Sequence, residues 1–346
     1  MNLHMLEIAV LTIILALAFT FTNGFQDASS IAATFIASRS ATPKAGIILV
    51  AVMSLLGAIF GGSAVAFTLT GFVHLEAGAQ ELIVLFVALV TATSWNIITW
   101  KYGLPSSSTH SLIGGLMGGS IAAAGIGSVL WGFSELSSPV PELTGFAKIL
   151  FFFVLSVIIG FAGSFVLHKT TGILMRNAQR RQNRKIVGLN WCTAALMAFF
   201  NGANDPQKQM GMIAMVLVAA GLAATADVPL WARCACAGLM ALGTVSGGWR
   251  IMNTLGRRIF RIEPLHSFDS QFFSASSIAL STAAGAPVSS TQVITMSVLG
   301  VGVAENARKV KWEVGREIVI AMVITIPVTM LISGVLYLII SPITGV

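Results

Sequence analysis

Apolar residues run along this chain in long blocks, not in the spaced stripes of an amphipathic surface helix. Crossing a bilayer takes roughly 20 apolar residues in a helix rising about 1.5 Å per residue. Stretches of that kind occupy positions 5 to 22, 45 to 73, 82 to 100, 145 to 168, 228 to 248 and 317 to 341. Other apolar runs, at 28 to 38, 187 to 200, 210 to 224, 271 to 284 and 288 to 304, are interrupted or bounded by Gly, Pro, Asn, Ser and Asp. They are too short or too polar to span alone. Broken helices at membrane depth are tolerated only where they line a cavity or are buried in protein. The pattern therefore predicts an all-α polytopic membrane protein enclosing a polar centre. Its first apolar run, from Leu6 to Phe21, has no basic leading region and no small-residue cleavage site, so it reads as a retained helix.

Composition narrows the class. The 346 residues are 55% hydrophobic and only 10% charged, with a mean hydropathy of +0.87, whereas soluble domains are about 25% charged. Such a chain could not cover itself with polar surface in water, which excludes a cytoplasmic enzyme, a disulfide scaffold and a disordered regulator. The net charge of +7 would suggest a nucleic-acid partner in a soluble protein. Here the basic residues set topology instead, and no nucleic acid is expected. Sixteen of the 20 Lys and Arg residues fall in four loops: 39 to 44, 169 to 185, 250 to 261 and 308 to 316. Those loops should face the cytoplasm. The segments 74 to 81 and 134 to 142, and the one around Asp227, carry no Lys or Arg and should face outward. A cell (inner) membrane location follows, multi-pass, with both termini outside. Cys192, Cys234 and Cys236 lie in apolar segments without redox or zinc spacing and read as small apolar side chains.

Counting crossings between these loops gives the two halves equal numbers of spans in opposite senses. Two motifs recur accordingly. Asn23-Gly24-Phe25-Gln26-Asp27 pairs with Asn201-Gly202-Ala203-Asn204-Asp205 at an offset of 178. Gly103-Leu104-Pro105-Ser106-Ser107-Ser108-Thr109 pairs with Gly285-Ala286-Pro287-Val288-Ser289-Ser290-Thr291 at an offset of 182. Two unrelated motifs in the same order at nearly one offset predict two inverted-topology repeats with broken helices and helical hairpins. Residues 1–168 form the first repeat, 169–185 a basic, mobile cytoplasmic linker, and 186–346 the second repeat.

The first motif carries cation chemistry. Only four aspartates occur in the chain, and Asp27 and Asp205 hold equivalent places in the two repeats. An aspartate at the bilayer centre costs roughly 2.5–3.5 kcal/mol. Asn-Gly and Asn-Asp are also good turn and capping sequences, but paired carboxylates with Asn23 and Asn201 beside them suit a hard cation such as sodium. The same groups would also serve a proton relay.

The second motif has the opposite polarity. Pro105 and Pro287 each open a helix, which places free N–H groups and the hydroxyls of Ser107, Ser108 and Thr109, or Ser289, Ser290 and Thr291, at a positive helix end. Such an end accepts anions, although Ser and Thr also cap helices. Two carboxylates and an anion in one pocket repel one another by about 4 kcal/mol per pair at 4 Å. A bound cation removes that cost, so cation and anion should fill cooperatively. Hydrogen phosphate offers a carboxylate a donor that sulfate lacks. Lys208 could neutralise phosphate or pair with Asp205. His110, whose place in the second repeat is taken by Gln292, reads as a hydrogen-bonding pore residue or a proton relay.

At these residues the chain resembles the inorganic phosphate transporters (PiT) over essentially its whole length. The duplicated signature looks like Asn23-Gly24 with Asp27, Asn201-Gly202-Ala203-Asn204-Asp205, and the two Pro-Ser-Thr elements. It departs from the more symmetric pattern at Phe25-Gln26, in place of Ala-Asn, and at Gln292, in place of a second His. The resemblance implies a transport domain with helical hairpins moving against a scaffold, and phosphate uptake driven by sodium ions or protons. The expected function is a secondary active symporter importing inorganic phosphate with sodium by alternating access. Asn23, Asp27, Asn201 and Asp205 would hold sodium; Gln26, Ser107, Ser108, Thr109, Asn204, Ser289, Ser290 and Thr291 would hold phosphate. His110, Lys208 and Gln292 are accessory candidates. No cofactor is expected beyond co-transported sodium, and the lipid bilayer is the surrounding partner; a homodimer is allowed but not required. The competing readings are proton-coupled or metal-phosphate symport, an intramembrane enzyme built on Ser108, His110 and an aspartate, and a passive anion channel.

Overall fold

The computed structural model describes residues 3–103, 106–136, 138–176, 182–246 and 261–344. The chain order is α1 (Leu3–Ala37), α2 (Pro43–Phe60), α3 (Ala64–Thr70), α4 (Ala79–Tyr102), α5 (Ser108–Ala124), α6 (Phe133–Leu136), α7 (Gly145–Ile158), α8 (Ser164–Leu174), α9 (Gln182–Ala219), α10 (Leu230–Ser246), α11 (Pro264–Ala283), α12 (Ser290–Asn306) and α13 (Trp312–Thr344). No strand occurs among the described residues. Among the described residues, six helical stretches are long and apolar enough to cross a membrane: Met5–Gly24, Pro43–Phe60, Ala79–Tyr102, Gly145–Leu174, Asn183–Ala219 and Val319–Thr344.

Burial runs opposite to that of a water-soluble protein. Ile14, Val154, Val323, Leu331 and Ile339 are exposed, while Asn23, Gln26, Asn201, Asn204, Asp205 and Lys208 are buried. Exposed aliphatic side chains stripe α1, α7 and α13, where a hydrocarbon solvent would meet them. The polar residues gather between α1, α9 and the two hairpins α4–α5 and α11–α12.

Both hairpins turn at a glycine in the left-handed region, Gly103 at φ 67° and Gly285 at φ 66°, where a side chain would be strained. The returning helix starts later than its proline suggests. Ser107 caps α5 by accepting from the His110 backbone N–H (3.1 Å), and Ser289 caps α12 by accepting from that of Gln292 (3.4 Å). Pro287 therefore precedes the cap by two residues, and Pro105 lies outside the described residues.

Three further expectations change. The interval 45 to 73 is two helices, because the chain turns at Gly61 and Gly62 before α3. The backbone freed by that break is satisfied by Gln207 of α9, which accepts from Val65 N (2.9 Å) and donates to Gly61 O (3.0 Å). The two signature motifs do not interrupt their helices: α1 and α9 run through them for 35 and 38 residues. In α9 even Pro206 is accommodated, since packing on every side outweighs weak local helix preference. In the basic segment 169–185, Lys169 to Leu174 continue α8 and Gln182 to Lys185 open α9, with 177–181 outside the described residues.

Packing of the second half repeats that of the first. Within the halves, α1 lies along α4 and α9 along α11. Across the halves, α1 packs on α10 and α9 on α2; likewise α5 packs on α13, and α12 on α8 and the π-turn Ile159–Gly163 that joins α7 to α8. The crossings at the signature motifs are backbone to backbone. A methyl group at Gly24 would collide with the Met240 carbonyl oxygen of α10, and one at Gly202 with the Ser54 carbonyl oxygen of α2.

Candidate functional site

The polar centre lies where α1 and α9 carry their signature residues past the starts of α5 and α12. Gln26 and Asn204, at equivalent positions, hold the two hairpin turns. Gln26 Nε2 donates to Thr99 Oγ1 (3.3 Å) and to the Ser106 carbonyl (3.4 Å). Asn204 Nδ2 donates to Thr282 Oγ1 (2.9 Å) and the Ala286 carbonyl (3.1 Å), and its Oδ1 accepts from Val288 N (3.3 Å). Each amide thereby ties a signature helix to its own hairpin.

Asp205 is almost wholly buried. Its Oδ2 accepts from Ser290 Oγ (2.9 Å) and its Oδ1 from the ammonium of Lys208, one turn along α9. Lys208 Nζ also donates to Thr109 Oγ1 (2.5 Å) and to the Val288 carbonyl (2.9 Å), while Thr109 Oγ1 donates to that same carbonyl (2.9 Å). Thr109 belongs to the first half and Ser290 to the second, so this ion pair joins both hairpins to α9. Of the two roles expected for Lys208, pairing with Asp205 is the one the geometry displays.

Asn23 and Asn201 precede Asp27 and Asp205 by four residues, one turn away on the same helix face. Both are fully buried, and neither side-chain oxygen nor nitrogen has a hydrogen-bond partner among the described residues. The side chain of Asp27 lies outside the described residues. Ser108 and Thr291 are buried at the first turns of α5 and α12 beside the caps Ser107 and Ser289. His110 and Gln292, one turn further on, meet across the centre, with the His110 ring 4.3 Å from that of Phe153. All the sequence-derived candidates whose side chains are described thus fall in one buried region.

A family model described as the phosphate transporter family matches residues 23–333 of the chain, signature motifs and hairpins included. The chain belongs to the phosphate transporter family. It is 37% identical over 344 residues to a protein of Bacillus subtilis (strain 168) described as "Probable low-affinity inorganic phosphate transporter", covering 97% of this chain and 98% of the relative. A protein of Rhizobium meliloti (strain 1021) with the same description is 35% identical over 328 residues, covering 94% of each chain. A solved structure described as "The sodium-dependent phosphate transporter" superposes with a TM-score of 0.85 over 97% of this chain and all of the other, at 23% identity, and so shares the fold. The protein is a multi-pass phosphate transporter and not an enzyme, which sets aside the nucleophilic reading of Ser108 and His110.

This phosphate transporter also holds a second polar cluster that sequence reading missed. Asp269 of α11 is fully buried and accepts from His168 Nδ1 (2.7 Å) and Thr171 Oγ1 (2.9 Å) of α8. His168 Nε2 faces Glu305 Oε2 at the end of α12 (3.3 Å), with His266 Nε2 3.9 Å from the same oxygen. Three of these groups could converge on a metal ion. However, His266 Nδ1 accepts the Glu263 backbone N–H (3.0 Å), which puts the ring proton on Nε2 and favours an ion-paired cluster. The signal available was Asp269 itself, one of four aspartates in an apolar chain. Gln271 was also missed; it donates to Thr34 Oγ1 (2.9 Å) and accepts from Thr193 (3.3 Å), linking α11 to α1 and α9.

Proposed function

We propose that this transporter imports inorganic phosphate by symport with sodium ions, alternating access to the polar centre between the two faces of the membrane. The observation that carries the reading is Asn23, a buried amide one helical turn before Asp27 and without a partner among the described residues. Burying a polar group unpaired costs about 1–3 kcal/mol, and a hard cation is the ligand that amide and carboxylate oxygens satisfy together. An amide oxygen cannot carry a proton at neutral pH, which favours sodium over proton coupling. The structural neighbour is described as sodium-dependent, which supports the same ion.

Phosphate would lie at the converging starts of α5 and α12, met by backbone N–H groups and the hydroxyls of Ser108, Thr109, Ser290 and Thr291. Gln26 and Asn204 would set the hairpin turns around it. Sodium held beside Asn23 and Asp27, together with the positive charge beside Asn201 and Asp205, would offset the repulsion between carboxylates and phosphate. The mirrored packing supports two inverted repeats, 1–168 and 186–346, joined by 169–185. Both termini would face outward from the cell (inner) membrane, because the basic loops face inward.

Radiolabelled phosphate uptake into proteoliposomes tests this, comparing inward sodium and proton gradients with excess sulfate present. Concentrative uptake driven by sodium and unaffected by sulfate is expected. Uptake driven by protons alone would overturn the sodium assignment and leave phosphate transport standing.

A further inference from the structure

Lys208 is among the largest fully buried side chains of the protein, 1% exposed. An ammonium has three N–H donors, and here they meet three oxygens of different kinds: the Asp205 carboxylate, the Thr109 hydroxyl and the Val288 carbonyl. That is the set of oxygens a small hard cation would gather at this place. A lysine ammonium is itself a compact point charge. The other carboxylate oxygen accepts from Ser290, so both oxygens of Asp205 already have a donor.

The first half repeats every component except the charge. At the repeat offsets Asp27 stands for Asp205, Thr291 for Thr109, and the Ser106 carbonyl for that of Val288. The position 178 residues before Lys208 is Ser30. Its hydroxyl is fully buried and has no hydrogen-bond partner among the described residues. One half therefore carries a resident cation where the other has a short neutral side chain.

We infer that Lys208 is a tethered cation that fills the second half's cation site, so the coupling ion binds in the first half only, at Asn23 and Ser30. This rests on the reading of the protein as a sodium-coupled phosphate symporter. The ammonium offsets the Asp205 and phosphate charges during each cycle but is never released. The gradient of a single ion then limits how far phosphate can be accumulated through this route. Asn201 keeps its place beside Asp205 as a neutral oxygen of a site already neutralised.

Equilibrium binding of radioactive sodium to the purified full-length wild-type protein reads the number of sites without any substitution. One sodium per chain is expected. Two per chain would leave the sodium reading intact and overturn the tethered cation; none would overturn both. Lys208→Ser, which makes the halves alike, should bind one more sodium and raise the Hill coefficient of sodium-stimulated phosphate uptake from about 1 towards 2. Ser30→Lys should do the reverse, abolishing sodium binding. Retention of the wild-type sodium count by either variant, in protein that remains monodisperse by size-exclusion chromatography, would also overturn the inference.

Discussion

Gln292 Nε2 lies 2.9 Å from His110 Nδ1, although the two residues are 182 positions apart in the chain. Each sits three residues after a serine cap, Ser107 or Ser289, and the two meet because α5 and α12 begin at the same place in the centre. Histidine and glutamine here are members of one pair. His110→Gln should therefore keep phosphate uptake within a few-fold of wild type, since an amide can meet an amide. His110→Ala leaves the Gln292 amide without this partner, at about 1–3 kcal/mol, and should lower thermal stability. Uptake and melting temperature, measured together, distinguish this from a proton relay, for which both variants would be equally inactive.

Asp205 and Lys208 form a buried ion pair, and removing one partner of such a pair costs about 3–5 kcal/mol. Asp205→Asn should lose thermal stability and coupled uptake. The double variant Asp205→Asn with Lys208→Met should regain most of the stability but none of the uptake. A thermal-shift double-mutant cycle in detergent gives the coupling between the two side chains. Additive losses would mean that the pair does not act as a unit.

Asn204 makes three hydrogen bonds to the end of α11 and the turn that leads to α12. Asn204→Ala should raise the KM for phosphate and lower stability by about 1–3 kcal/mol. Gln26→Ala acts on the α4–α5 turn in the same way. Uptake as a function of phosphate concentration checks both variants.

Gly24 and Gly202 mark where helix backbones touch across the two halves. Alanine at either position forces helices apart, and overpacking of this kind costs about 1–3 kcal/mol. Less folded protein should be recovered for both variants, as read by fluorescence-detected size exclusion. The same change at Gly188, which faces open space, should have no such effect.

The cluster of His168, His266, Asp269 and Glu305 gives a pH dependence. The hydrogen bond from His168 holds the Glu305 carboxyl below its ordinary value of 4.5. A lowered folded-state value means that the stabilisation is complete above 4.5 and is lost as pH falls through the lower value. Stability should therefore decline on acidification below pH 4.5, and Glu305→Gln should flatten that part of the profile. Melting temperature against pH provides the measurement.

Where a pattern was repeated, the sequence could be read through to the site. The offsets relating Asn23 to Asn201 and Ser107 to Ser289 located both signature helices and both hairpin turns, because duplicated residues keep their register when the backbone is duplicated. The continuity of α1 and α9 was hidden, since Asn, Gly and Pro206 weaken a helix locally while the neighbours that hold it straight are distant in sequence. The contact of Lys208 with Thr109 was hidden for a similar reason: it depends on the two halves meeting face to face. His168 and Asp269 lie 101 positions apart on different helices and carry no spacing signal.

The exchange of packing partners between the halves makes each hairpin depend on helices of the other half. Neither half, made alone, could cover α5 or α12. Cut within 177–181 and synthesised as two fragments in one cell, the protein should reassemble into an active transporter, whereas either fragment expressed singly should be degraded. An ancestor of half this length would on the same grounds have worked as a pair of chains, interlocked from the outset.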